Sequence, residues 1–78
     1  MITLHTDTAA YYLLDDGMVY DALDSIVPID SLDVFLNSHN VTSITSEDGY
    51  KFTVSPDGVS NGDMTFDNLE SAIEELQA

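Results

Sequence analysis

Arginine, cysteine and tryptophan are absent from this chain, and its only lysine or arginine is Lys51. Each absence excludes something. Without cysteine, no disulfide or thiolate metal cluster can support a core of 78 residues, a size near the lower limit for unaided folding. The same lack fits a reducing cytoplasm. No apolar run approaches the ~18 residues a membrane helix needs, and no basic stretch precedes an apolar one near the start. Neither a membrane nor a secretion route is therefore expected, and the sequon Asn40-Val41-Thr42 reads as chance. Direct binding of nucleic acid is excluded, because phosphates would repel a chain of fifteen acids and one base.

Catalytic equipment is equally scarce. His5 and His39 are the only histidines. His39 falls in the last turn of an expected helix, where an imidazolium suits the dipole, and His5 lies on the polar side of a strand. No serine sits in a nucleophile elbow and no glycine loop precedes a lysine. Carboxylate pairs are inevitable among so many acids, so no single pair is informative. The four tyrosines suit a small core or interface. The expectation is a protein that is not an enzyme and carries no cofactor and no metal.

What is present reads as one domain, 1–78, of α+β class: an antiparallel sheet with two helices. Residues 2–6 alternate apolar and polar, 11–14 form a continuous apolar run suited to a strand covered on both faces, and 18–20 return after Asp15-Asp16-Gly17. Residues 21–25 fit either a strand end or a helical turn. A helix is expected from Asp30, with Asp30 as cap and Ile29 and Val34 as its staple, burying Leu32, Phe35 and Leu36 and stopping near Asn40 in a left-handed conformation. Strand pattern resumes at 41–46 and 50–54, separated by Glu47-Asp48-Gly49. A loop over 55–63, a strand over 64–66 and a helix capped by Asp67 complete the chain. A shift of ~37 positions lays Asp30-Ser31-Leu32-Asp33 over Asp67-Asn68-Leu69-Glu70. A shift of ~40 lays 2–6 over 42–46 and 11–14 over 51–54. The chain thus divides into two pseudo-repeats, 1–40 and 41–78, each of the form βββα.

The acids carry the functional signal. A globule of this mass exposes ~4,700 Å², so a net charge of −14 is one charge per ~330 Å² if evenly spread. B-DNA carries one per ~110 Å², a density this surface matches if its acids occupy a third of it. Asp30 and Asp67 have capping roles. Asp15, Asp16, Asp21, Asp24, Glu47, Asp48, Asp63, Glu70, Glu74 and Glu75 do not, and are the candidate partner-binding residues. Glu74 and Glu75 oppose the helix dipole, and Glu70 and Glu74 form a like-charge pair one turn apart. Stability alone would favour lysine at some of these positions.

Four readings compete. A solvated acidic surface serves solubility, or a general protein-interaction module. A halophile keeps such a surface hydrated in strong salt. Residues 57–63 are rich in oxygen ligands for calcium, but lack the alternating order and bidentate glutamate of a calcium loop. Finally, the surface can imitate a phosphate backbone and occupy the basic groove of a nucleic-acid-binding protein, in the cytoplasm. In size, charge and α+β character, with acids such as Asp15/Asp16, Glu47/Asp48 and Glu70/Glu74/Glu75, the whole chain resembles the small acidic DNA-mimic inhibitors that phages direct against bacterial defence, the anti-restriction and anti-CRISPR proteins. That resemblance implies an inhibitor whose partner is a host CRISPR effector or nuclease. The class shares no single fold, so it assigns no residue a role.

Overall fold

The computed structural model describes residues 1–23 and 26–77. Their elements are β1 (Ile2–Thr6), β2 (Ala10–Leu13), β3 (Met18–Asp21), β4 (Pro28–Ser31), α1 (Leu32–Ser38), β5 (Val41–Thr45), β6 (Lys51–Ser55), β7 (Gly58–Ser60), β8 (Thr65–Phe66) and α2 (Leu69–Gln77). All eight strands join one antiparallel sheet in the order β4-β3-β2-β1-β5-β6-β7-β8. The α+β architecture expected from the sequence is the one observed. Each half meanders outward from the centre, and β1 and β5 meet there with Leu4 opposite Ile44.

Residues directly opposite one another share a sheet face, so the registers sort the side chains. One face carries the rows Val19–Leu13–Ile2, Tyr11–Leu4–Ile44–Phe52 and Val54–Val59–Phe66. Both helices lie on this face. Phe35 of α1 packs edge-on against Tyr11 with ring centroids 4.8 Å apart, and Ala72 and Ile73 of α2 join the same buried cluster. Leu4, Ile44, Phe35 and Val19 are wholly buried there. No helix covers the other face among the described residues.

Several expectations need correction. Each half holds four strands rather than three, because β4 and β7 lie within stretches read as loop or cap. Residues 28–31 spend their backbone pairing with β3, so Asp30 sits opposite Val19 and is not a helix cap. Instead α1 starts after Ser31, which makes no side-chain capping bond, while the Leu32 amide donates to the Gly17 carbonyl at 3.3 Å. Ile29 and Val34 are exposed and form no staple. Asn40 is not left-handed; the helix ends at an extended His39, whose ring stacks on Phe35 at 4.3 Å. At α2 the cap is Asn68, not Asp67: its Oδ1 accepts from the Ser71 amide at 2.8 Å. The apolar run over 11–14 is covered on one face only, leaving Tyr12 half-buried on the other.

The loop expected over 55–63 is a hairpin. Val59 is 1% exposed and pairs with Val54 and Phe66. Gly58 makes this possible: its φ is +139°, and a Cβ there would lie 2.5 Å from the Phe66 carbonyl oxygen. The proposed superposition of 11–14 on 51–54 is also displaced by one residue. Leu4 faces Tyr11 while Ile44 faces Phe52, so Tyr11 corresponds to Phe52 rather than Lys51.

Candidate functional site

Strand direction decides where each acid lies. Call the lower end of the sheet the one at which β1 begins. The β2–β3 turn (Asp15, Asp16), the β5–β6 turn (Glu47, Asp48) and the β7–β8 loop (Asp63) all fall there. Helix α2 starts beyond the upper end of β8 and runs down, bringing Glu74 and Glu75 towards the same end. Seven of the ten candidate acids are thus brought together at one end. Asp21 and Glu70 lie at the upper end, and Asp24 lies outside the described residues. At an interstrand spacing of ~4.8 Å, the three acidic turns are spaced by ~14 Å and ~10 Å along the sheet edge. The major groove of B-DNA is ~12 Å wide.

Their local chemistry differs. Asp16 has structural work that the sequence did not disclose: Oδ1 accepts from the Met18 amide at 2.9 Å and Oδ2 from the Tyr20 hydroxyl at 2.6 Å. These bonds hold its carboxyl below the ordinary range, the tyrosine first and the amide second, and the carboxylate in turn raises the Tyr20 phenol. Asp21 accepts from the Leu23 amide at 2.9 Å. Glu70 stands in the first turn of α2, where the dipole favours it. Asp15, Glu47, Asp48, Asp63, Glu74 and Glu75 are exposed. Among the described residues the one ion pair is weak and peripheral, from the Met1 ammonium to Glu47 at 3.8 Å.

Sequence reasoning missed a groove at this end. It has a volume of about 500 Å³, and Glu47, Asp48 and Asp63 line it together with Tyr50, Phe52, Met64 and Leu76. Both of its turns are fixed by side chains. Ser46 Oγ accepts from the Tyr50 amide at 3.1 Å, and Asn61 Oδ1 accepts from the Asp63 and Met64 amides at 2.9 and 2.8 Å. Alternation along 50–54 places Tyr50 on the core side with Phe52, yet Tyr50 is 63% exposed because it stands before β6 begins. Its position beside an acidic turn was the only hint available.

The uncovered sheet face contrasts with this end. Its rows read Tyr20–Tyr12–Thr3–Thr45–Lys51 and Ala10–His5–Ser43–Thr53–Ser60–Thr65, and no strand acid points that way. His5 Nε2 bonds Thr45 Oγ1 at 3.1 Å, and the ring is half-buried rather than free in solvent. Asp57 and Asp63 sit at opposite ends of β7, so the oxygen-rich stretch does not close around one ion. Among the described residues no three His, Asp or Glu side chains gather as a metal site, and no helix is long and apolar enough to cross a membrane.

Comparisons with protein-family models, curated proteins and solved structures found no match to this chain.

Proposed function

We propose that this protein is a non-enzymatic inhibitor that occupies the nucleic-acid-binding groove of another protein, a host defence effector or nuclease, by presenting a phosphate-like edge. The observation that carries the reading is linear charge density. A net charge of −14 is drawn out along a long axis of 34 Å, one charge per about 2.4 Å, against one per ~1.7 Å for B-DNA. That axis runs across the strands, since eight of them at ~4.8 Å span the same length. It also equals about one turn of duplex. The lower end carries most of the candidate acids, and no strand acid points to the bare sheet face.

Lysine and arginine residues that ordinarily meet phosphates would meet these carboxylates instead, releasing counterions on both sides. The test is capture from a bacterial lysate on the immobilised protein, followed by elution with salt or duplex DNA. The reading requires that the captured protein bind nucleic acid, be displaced by DNA, and be lost when Glu47 and Asp48 are both changed to lysine. Capture that DNA does not displace, or that survives this double reversal, would sink it.

A further inference from the structure

The lower-end groove is not merely charged. Its floor is apolar, with Phe52 1% exposed, while Tyr50 and Met64 are left 63% and 51% open above it. A surface serving charge alone has no use for an uncovered tyrosine and methionine beside three carboxylates. Its volume of about 500 Å³ lies within the ~300–1,000 Å³ of ligand-binding clefts. A metal ion or ammonium would leave the apolar floor unused, and an apolar side chain would bring no charge to Asp48 and Asp63, nor to Glu47 beyond its 3.8 Å pair with the Met1 ammonium. One side chain satisfies both parts. Arginine has an aliphatic stem that can cover Met64 and Leu76, a flat cation that stacks on a tyrosine ring, and a donor fork that fits carboxylates. Lysine supplies the charge but neither the plane nor the fork.

We propose that this groove is an anchor pocket for an arginine side chain of the partner protein. The proposal rests on the reading above and deepens it: an arginine that would otherwise contact phosphate enters between Tyr50 and Asp63. Part of the affinity is then apolar, and persists at salt concentrations that screen the remaining acids.

The three methionines, Met1, Met18 and Met64, give three methyl signals in the full chain labelled with methyl-¹³C methionine. Met64 lines the groove and Met18 stands on β3, outside it. The probes are a short alanine-based peptide with one arginine and its lysine counterpart. The arginine peptide is expected to shift the Met64 methyl saturably and leave Met18 unmoved. The lysine peptide should bind several-fold more weakly, and Tyr50→Ala should remove about a two- to fivefold preference for arginine. Asp63→Asn should weaken both peptides, with the unchanged Met18 signal reporting an intact fold. Equal affinity for the two peptides, or a Met64 methyl that stays still while other signals move, overturns the pocket. Arginine-selective shifts in a protein that DNA fails to displace from its partner would instead overturn the mimicry and leave the pocket standing.

Discussion

Asp16 shows how a residue in an acidic run can hold a structural post. Its carboxylate fixes the β2–β3 turn through Met18 and Tyr20. Because its pKa is lowered in the fold, its stabilising contribution is present above the ordinary carboxylate range and is lost as pH falls through the folded value. Tyr20 has the opposite sign: its raised pKa stabilises below the ordinary phenol value of 10.0 and that contribution disappears as pH rises through the folded value. Ultraviolet titration should therefore show the Tyr20 phenol ionising late, and Asp16→Asn should remove that delay. Gly58 is a second residue with a hidden role, since it lies in the stretch 55–63 that the sequence pattern reads as a loop. Gly58→Ala meets both positive φ and the Phe66 carbonyl, and is expected to cost about 2 kcal/mol or more in denaturant titration. Gly17→Ala, with φ +79° and open space around it, should cost nearer 1 kcal/mol.

Among the elements, six strands and both helices were legible because each carries an apolar pattern or follows a recognisable turn. Strands β4 and β7 were not. In β7 only Val59 is apolar, and β4 owes its existence to the edge of β3 rather than to its own pattern. The caps slipped by one residue for a related reason: Asp67 and Asn68 are both good caps, and only the path out of β8 selects the second. Ten candidate acids could be named from the sequence, but the convergence of seven of them at one end follows from strand direction, and the groove from the sheet order that brings 46–50 beside 61–64. In α2, Glu74 and Glu75 lie on exposed positions of the C-terminal half of the helix without a nearby cation in its last turn. Changing either to lysine should stabilise the fold by ~0.3–1 kcal/mol at low salt, read as a higher melting temperature. The same substitutions should weaken capture of a basic partner. Gain of stability with loss of binding is the signature of acids retained for a partner; loss of folding would assign them to structure.

At the scale of the molecule, an ion pair between Met1 and Glu47 offsets little of a −14 charge, so repulsion among carboxylates burdens the folded state. Salt at ~0.1 M screens charges beyond ~10 Å, and the melting temperature should rise steadily from dilute buffer to that concentration. A cooperative melt already present in dilute buffer separates this behaviour from halophilic adaptation, which requires strong salt for folding. Partner binding should move the opposite way, weakening as salt increases.

The sheet order also dictates an order of assembly in time. Every neighbouring pair but one joins strands adjacent in the chain; the exception is β1 with β5, where Leu4 meets Ile44 across the whole first half. Local hairpins close quickly, whereas this central seam must wait for a long loop to close, which makes it the slow step of folding. Truncating Leu4 or Ile44 to alanine should then retard refolding in stopped-flow measurements. Truncating Val59, at the far side of its own meander, should chiefly hasten unfolding.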